Sequence, residues 1–232
     1  MLYMYKYYVM KNIWITGASR GIGYSTAQLF LEMGHRVVIL TRNTQAVEGL
    51  SALYPETLYI CTTDLLALEK SEYPDFPVDI LINNAGALVN RPFSDITKED
   101  LMKVYGTNVF GPIQLIQNLM PKFSSDAHIV NISSVGGVTG SVKFPGLSAY
   151  SSSKGAMTIL TECLQAEFGD STSWSFNCLA LGAVQTEMLE EAFPGYVAPI
   201  DATAMATYIC GFALNNHRVI RGRVVEVAMS TP

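Results

Sequence analysis

The chain has 232 residues, of which 49 % are hydrophobic and 15 % charged, so it is long and apolar enough to bury a full core. Its formal net charge of −5 and the absence of any run of lysines and arginines argue against nucleic acid as the main partner, because phosphate contacts need a basic patch. We therefore expect a small-molecule partner.

The N-terminal residues 1–10, MLYMYKYYVM, are apolar and aromatic, but Lys6 and several tyrosines interrupt them and no small-residue cleavage site follows. This pattern predicts neither a signal peptide nor a membrane span. We interpret residues 1–10 as an extension in front of a folded unit at 11–232. An ordered extra strand at a subunit edge is the alternative.

Short apolar runs rich in β-branched residues recur along the chain, and each is typical of a buried strand. They lie at 13–16, 37–41, 58–61, 80–83, 128–133, 176–180 and 224–227. The segments between them have helical spacing, and the first of these ends at Gly34, where a left-handed cap belongs. This alternation predicts an α/β fold, a single doubly wound domain with a mostly parallel sheet of about seven strands flanked by helices.

Local signals mark helix starts and loops. Thr97 with Asp100 three residues later resembles a capping box, and Asp201 precedes a periodic apolar run. Glycine and proline make 136–147 and 187–199 the expected flexible segments. No linker or repeat divides the chain, which favours one domain.

The cysteines form no C-x-x-C pair and have no histidine cluster nearby, so the sequence predicts neither a metal site nor a disulfide framework. They are Cys61, Cys163, Cys178 and Cys210. Buried free thiols in a reducing cytoplasm are the interpretation, which gives a cytoplasmic location. The histidines His35, His128 and His217 lie alone near turns or strand ends, which favours neither a metal site nor a catalytic triad.

The glycine-rich stretch 16–23, TGASRGIG, follows the first predicted strand and precedes the first predicted helix. Glycines there let the backbone approach a diphosphate, and the first N–H groups of the helix hold the anion. The spacing of Gly17, Gly21 and Gly23 is neither G-x-G-x-x-G nor a phosphate-binding loop with a following G-K-[ST]. Its position after the first strand of an alternating chain is what predicts a diphosphate site.

At these residues the sequence resembles the short-chain dehydrogenase/reductase family, whose signature T-G-x-x-x-G-x-G is matched by 16–23. The family's N-N-A-G motif is matched within DILINNAG at 79–86, and its acidic residue at the adenine ring is matched by Asp64. The resemblance covers nearly everything from Lys11 onward and implies a Rossmann-like dinucleotide-binding domain. The family's catalytic set is matched in order by Asn108, Ser134, Tyr150 and Lys154.

Tyr150 and Lys154 are four residues apart, so on a helix they share one face about one turn apart. A free tyrosine has a pKa of about 10, and a neighbouring ammonium and the positive nicotinamide ring would lower it. We therefore assign Tyr150 as the proton donor and Lys154 as its electrostatic partner, which the family also uses to bind the nicotinamide ribose. Ser134 would polarise the substrate oxygen. The resemblance implies that Asn108 holds a water that links Lys154 to solvent.

Two assignments have alternatives, and two features depart from the family. Ser133 is the other candidate for the functional serine, and Asn108 could instead satisfy buried backbone groups in a helix kink. The stretch 134–150 is a few residues longer than is common, so its loop, which contains Phe144 and Pro145, could reshape the substrate side. Leu181–Gly182 stands where the family usually has P-G, which puts local rigidity in doubt.

The end of the second predicted strand favours NADP(H). Enzymes of this fold that use NAD place an acidic residue there, whereas a 2′-phosphate needs positive charge. Here Thr41 takes that position, Arg42 follows, and Arg20 in the glycine stretch is a second cation. NAD(H) is the alternative cofactor. The predicted cofactor-binding residues are Gly17, Ser19, Arg20, Gly21, Ile22, Gly23, Arg42, Asp64, Asn84, Ala85, Gly86, Tyr150, Lys154, Gly182, Val184 and Thr186.

The resemblance implies an oxidoreductase, a carbonyl reductase or alcohol dehydrogenase that transfers a hydride between the nicotinamide and a small carbonyl or alcohol substrate. Apolar residues in a lid suggest apolar substrate contacts, although they could instead pack on a neighbouring subunit. They are Met188, Leu189, Phe193 and Tyr196. The family leaves ketones, aldehydes, sugars, pteridines and 3-oxoacyl thioesters open. The rival from another class is a non-catalytic NADP-binding sensor, which usually lacks the tyrosine or the lysine. A homodimer or homotetramer through the helices of Asn108 and Tyr150 is also implied.

Overall fold

The computed structural model describes residues 9–68 and 72–230. Of the predicted N-terminal extension, 1–10, only the exposed Val9 and Met10 fall within this part of the chain, and the choice between an extension and an extra strand lies outside the described residues.

Within the described residues the strands form one parallel seven-stranded sheet in the order β3-β2-β1-β4-β5-β6-β7. The strands are β1 Asn12–Thr16, β2 Arg36–Thr41, β3 Leu58–Thr62, β4 Val78–Asn83, β5 Phe123–Ser134, β6 Ser175–Leu181 and β7 Val224–Val227. The α/β prediction and the parallel sheet are confirmed. Because strand order reverses between β1 and β4, a crevice opens at their carboxyl ends, where ligands bind in sheets of this kind.

Helices cover both faces of the sheet. They are α1 Gly21–Glu32, α2 Glu48–Leu53, α3 Lys98–Tyr105, α4 Gly111–Leu119, α5 Ser148–Phe168, α6 Glu187–Ala192 and α7 Ala202–Asn215. A π-helical turn, Gly106–Phe110, joins α3 to α4. None of the helices in the described part of the chain is long and apolar enough to cross a membrane.

Strand alternation divides the core between the two faces. Ile13 and Ile15 of β1 pack with α1 and α7, whereas Trp14 between them packs with α4 on the opposite face. All three side chains are fully buried. Period-two alternation in strands buried on both faces explains why the sequence shows near-continuous apolar runs.

The predicted helix caps are confirmed. The Thr97 hydroxyl accepts from the Asp100 N–H at 3.1 Å, and the Asp100 carboxylate accepts from the Thr97 N–H at 3.0 Å. Asp201 accepts from the Ala204 N–H at 2.8 Å at the start of α7. Gly34 after α1 has a φ of 81°. Each cap satisfies backbone groups that the helix leaves unpaired.

Two expectations need correction. β5 begins at Phe123, five residues before the predicted start, because Phe123 pairs with Val78 across a register irregularity and the exposed Asp126 breaks the apolar pattern. Cys163 is exposed on α5, whereas the other three cysteines are buried as predicted. The segment 187–199 contains α6, and its expected flexibility stays a prediction.

Candidate active site

The carboxyl ends of the strands converge on a cavity of about 630 Å³. Its walls come from the glycine turn before α1, the ends of β2 to β6, the first turns of α5, and α6. Every residue predicted to bind the cofactor lines it, and so does Ser134. Asn108 does not line the cavity, although the adjacent Thr107 does.

Hydrogen bonds between the ends of β1 and β4 hold the glycine turn in place. The Thr16 hydroxyl accepts from the N–H groups of Asn84 and Ala85, both at 3.0 Å. The Asn84 side-chain amide donates to the carbonyls of Thr16 and Gly17, at 3.0 and 3.1 Å. A Cβ at Gly23 would lie 2.4 Å from the Asn84 Nδ2, so only glycine allows this packing.

The N-terminus of α1 offers an anion site. Arg20, its N-cap residue, makes no side-chain capping bond, and no acidic residue lies in the first turn. Gly17 and Gly21 have φ values of 67° and 56°, which direct the turn around this terminus. Free N–H groups at the positive end of the helix dipole suit a diphosphate, so the donor set fits a dinucleotide.

The strand ends beside this turn carry the residues expected at the adenosine end. Arg20 and Arg42 are exposed, and neither forms an ion pair with any of the residues described. Thr41 is buried, and its hydroxyl accepts from the Asn43 N–H at 3.2 Å. Asp64 follows β3 and accepts from the Leu66 N–H at 3.0 Å. The two guanidinium groups therefore remain available to an anion.

Tyr150, Ser134 and Lys154 come together at the end of β5 and the start of α5. The Lys154 Nζ lies 5.8 Å from the centroid of the Tyr150 ring and donates to the Ile132 carbonyl at 2.9 Å. Burial raises the pKa of Tyr150 to about 12, which a hydrogen bond with Ser134 partly offsets. Burial lowers the pKa of Lys154 to about 8. Without a cofactor the phenol therefore stays protonated at neutral pH.

The two neighbouring serines have different partners. The Ser133 hydroxyl is buried and donates to the Lys154 carbonyl at 2.8 Å, so it holds α5 against β5. The Ser134 hydroxyl accepts from the Gly136 N–H at 3.3 Å and hydrogen-bonds Tyr150. This geometry favours Ser134 as the hydroxyl that would meet a substrate oxygen.

Asn108 lies in the π-helical turn, and protein groups engage its side chain. Its oxygen accepts from the Ala87 N–H at 2.7 Å, and its NH₂ donates to the Ala87 carbonyl and the Ser153 hydroxyl, both at 2.9 Å. This matches the alternative in which Asn108 satisfies buried backbone groups at a helix kink. The predicted water between Lys154 and solvent stays a prediction.

Gly182 packs against the C-terminal segment. Its N–H donates to the Val227 carbonyl at 2.9 Å, the next N–H donates to the Ser230 carbonyl at 3.2 Å, and a Cβ on it would lie 2.5 Å from the Ala228 Cβ. Thr186 caps α6 by accepting from the Leu189 N–H at 3.3 Å. These bonds restrain the segment where the family usually has a proline.

Asn90 joins three segments around the cavity, and sequence reasoning missed it. Its amide donates to the Ala192 carbonyl at the end of α6 at 2.9 Å. Gly146, with a φ of 86°, lies so close that a Cβ there would be 2.0 Å from the Asn90 Oδ1. The only sequence signal was a glycine in the loop before α5.

Glu187 is a second residue that sequence reasoning missed. It lines the cavity, and its Oε2 lies 3.9 Å from the position of a Cβ built on Gly21. A carboxylate thus stands beside the glycine turn. The short T-E-M stretch at 186–188 gave no signal for this approach.

A doubly wound parallel sheet with a glycine turn after β1 and a tyrosine–lysine pair at its crevice defines a dinucleotide-binding α/β protein. The family model described as short chain dehydrogenase matches residues 11–196. The chain therefore belongs to the short-chain dehydrogenase/reductase family, and the resemblance seen in the sequence is confirmed.

Curated relatives and solved structures agree with this family assignment. The chain is 38 % identical over 160 residues to Carbonyl reductase [NADPH] 2 of Sus scrofa, covering 67 % of this chain and 64 % of the relative. It is 34 % identical over 201 residues to Dehydrogenase/reductase SDR family protein 7-like of Drosophila melanogaster, covering 80 % and 60 %. The chain thus spans about three fifths of the length of these relatives. A 4-hydroxyisoleucine dehydrogenase mutant complexed with NADH and succinate is 26 % identical, with a TM-score of 0.78 and coverage of 94 % and 97 %.

Gly146→Ala tests the contact with Asn90, and Gly140→Ala is the matched control. Both glycines have φ above 80°, but a Cβ at Gly140 meets nothing within 4 Å. We expect Gly140→Ala to lose about 1 kcal/mol of unfolding free energy from backbone strain. Gly146→Ala should lose about 1–3 kcal/mol more, because Asn90 must shift. Urea unfolding measures both, and equal losses would contradict the contact.

Lys154→Met tests the burial of the ammonium. The pKa of Lys154 falls from 10.5 to about 8 on folding. At pH values between these two pKa values the unfolded chain binds more protons than the folded chain, so the free energy of unfolding rises with pH. Between pH 7 and 9 we expect the cofactor-free wild type to gain about 1 kcal/mol relative to Lys154→Met. The buried Cys61 and Cys210 are common to both proteins and cancel, and Cys178, whose pKa depends on the Lys154 charge, is replaced by alanine in both proteins. Urea unfolding measures the free energy of unfolding at each pH. If it changes equally with pH in wild type and Lys154→Met, the ammonium is not buried as described.

Proposed function

We propose that the chain is an NADP(H)-dependent oxidoreductase that transfers a hydride between the nicotinamide and a carbonyl or alcohol substrate, with Tyr150 as proton donor or acceptor. The observation that carries the proposal is the grouping of Tyr150, Ser134 and Lys154 in the same cavity as the glycine turn. The membership of the chain in an oxidoreductase family supports it.

In the reducing direction a nicotinamide held in this cavity beside Tyr150 and Lys154 would supply a hydride for the carbonyl carbon. The Ser134 hydroxyl donates a hydrogen bond to the carbonyl oxygen and orients it beside Tyr150. The Tyr150 phenol transfers its proton to that oxygen as negative charge develops on it. Lys154 stabilises the phenolate that remains, because its ammonium is held near the ring by the Ile132 carbonyl.

In the oxidising direction the same phenol acts as a base and takes the alcohol proton. A pKa of about 12 for Tyr150 in the cofactor-free protein is too high for that role at neutral pH. The positive nicotinamide ring of the oxidised cofactor and the Lys154 ammonium would together lower it. Alcohol oxidation should therefore gain more than carbonyl reduction from a rise in pH.

The two free arginines support NADP(H) over NAD(H). Arg20 and Arg42 line the cavity without partners among the described residues, and Thr41 takes the place of an acid. A 2′-phosphate would pair with both guanidinium groups. The pig relative is named for NADPH and the 4-hydroxyisoleucine dehydrogenase is complexed with NADH, so this preference rests on the arginines.

Cofactor titration tests the arginine argument. We expect NADPH to bind at least about tenfold more tightly than NADH, and Arg42→Ala or Arg20→Ala to weaken NADPH binding about tenfold each while leaving NADH binding unchanged. Nicotinamide fluorescence measures both constants. Arg221→Ala, an exposed arginine outside the cavity, is the control. A preference for NADH would reverse the cofactor assignment.

Tyr150→Phe tests the catalytic role against the non-catalytic sensor. We expect the turnover number for carbonyl reduction to fall about 100- to 10,000-fold, because the proton donor is lost, while NADPH affinity stays within about twofold. Tyr208→Phe, an exposed tyrosine on α7 outside the cavity, should retain full activity. Steady-state kinetics with NADPH decide the matter. Unchanged activity in Tyr150→Phe would favour the sensor.

A homodimer or homotetramer also remains a proposal. Exposed apolar side chains on the helices that carry Asn108 and Tyr150 support it. They include Leu101, Met102, Phe110 and Ile159. Exposed apolar side chains on helices are typical of faces that pack against a second subunit.

A further inference from the structure

Apolar side chains close the end of the cavity beside Tyr150. We call this surface the apolar wall, and it consists of Leu88, Phe144, Leu147, Met188, Ala192 and Phe193. These residues come from three separate segments and pack together with the Tyr150 ring as one cluster. A substrate whose carbonyl oxygen lies near Ser134 would therefore rest its remaining atoms on this wall.

The charged side chains that line the cavity, apart from Lys154 beside Tyr150, lie toward its other end. Among the residues described, those that line it are Arg20, Arg42, Asp64, Lys154 and Glu187. The first three belong to the glycine turn and the ends of β2 and β3, and the Glu187 carboxylate lies beside Gly21. The Lys154 ammonium donates to the Ile132 carbonyl and is assigned to the Tyr150 phenolate and the nicotinamide ribose. None of the six residues of the apolar wall is charged, so an anionic group placed on it would lose its hydration with no wall side chain to pair with.

Polar recognition at the apolar wall is also sparse. Asn90, whose side-chain amide donates to the Ala192 carbonyl, is not among the residues that line the cavity. Ser134 and Tyr150 hydrogen-bond each other and are the groups assigned to the carbonyl oxygen. A sugar would bring several hydroxyls to a surface that leaves them unpaired, which is costly for buried polar groups.

The residues of the apolar wall pack against one another and against Tyr150. The rings of Phe144 and Phe193 meet edge to face, with centroids 5.0 Å apart and planes at 76°. The hydrogen bond from Asn90 to Ala192 fastens α6 over this pair. Since the cavity of about 630 Å³ would also hold the dinucleotide, the space that remains suits a small substrate. Two phenylalanine rings that line this space favour an aromatic ring in it.

We infer that the substrate is a small, neutral, apolar aldehyde or ketone, best an aromatic one, bound on the apolar wall of Leu88, Phe144, Leu147, Met188, Ala192 and Phe193. The inference rests on the proposed function and narrows it. It disfavours keto acids, sugars and carrier-bound thioesters, whose charged or polar parts find no partner on this wall.

Two aldehydes that differ only in the para substituent, methyl or carboxylate, test the inference. 4-Methylbenzaldehyde is neutral, whereas 4-formylbenzoate carries a carboxylate in place of the methyl group. The aldehyde carbon of 4-formylbenzoate is at least as electrophilic as that of 4-methylbenzaldehyde. We expect kcat/KM with NADPH to be about tenfold or more higher for 4-methylbenzaldehyde. An equal or higher value for 4-formylbenzoate would overturn the inference.

Phe193→Arg brings a cation to the apolar wall. We expect it to reduce the preference for the neutral aldehyde about tenfold or more, because the guanidinium pairs with the carboxylate. Phe93→Arg is the matched control, since Phe93 is 82 % exposed and lies outside the cavity. Circular dichroism checks that both variants fold. If Phe193→Arg does not fold, the ratio of the two kcat/KM values in the wild type decides the question. An unchanged preference in folded Phe193→Arg would count against the wall.

Binding of unreactive amides separates failure of the inference from failure of the proposed function. With NADPH present, we expect 4-methylbenzamide to bind about tenfold or more tightly than 4-carbamoylbenzoate, measured by quenching of the nicotinamide fluorescence. If no aldehyde is reduced but this order holds, the proposed function fails and the neutral apolar site stands. The reverse order, or no binding of either amide, would overturn the inference.

Discussion

The hydrogen bonds that tie the carboxyl end of β1 to that of β4 are the constraint on which the site depends. The Thr16 hydroxyl accepts hydrogen bonds from two backbone N–H groups in the segment after β4. The Asn84 side-chain amide donates two hydrogen bonds to the carbonyls of Thr16 and Gly17. These four bonds fix the two strand ends across the point where strand order reverses. The crevice, the free N-terminus of α1 and the access to Tyr150 all follow from that fixed edge.

The cavity has two chemically different ends, and the proposed reaction uses both. Free arginines and helix N–H groups at one end suit the phosphates of a dinucleotide. Phenylalanine, leucine and methionine side chains form an apolar surface at the other end, beside Tyr150. Tyr150 and Lys154 lie between the two ends. Burial raises the pKa of Tyr150 and lowers that of Lys154, and both shifts favour the neutral form of the side chain. The binding of a charged cofactor beside them would change that balance, which couples cofactor binding to acid–base chemistry.

Local patterns in the sequence were enough to predict the parallel sheet and the glycine turn, whereas the tyrosine–lysine pair was identified through the resemblance to the family. Strands such as β1 are buried on both faces and so read as apolar runs, and Gly34 marks a positive φ that few other residues adopt. The start of β5 escaped prediction because Asp126 is exposed and interrupts its pattern. The bond from Asn90 to Ala192 joins residues 102 positions apart, and no local pattern encodes such a contact.

Transfer of deuterium from NADPH labelled at both C4 positions to an aldehyde tests the proposed reaction most directly. If the crevice holds the nicotinamide against a carbonyl near Tyr150, mass spectrometry should find one deuterium on the carbinol carbon of every alcohol molecule formed. Tyr150→Phe should slow this transfer without changing where the deuterium appears. Alcohol that contains no deuterium, or bound NADPH that reduces none of a panel of aldehydes and ketones, would contradict hydride transfer at this site.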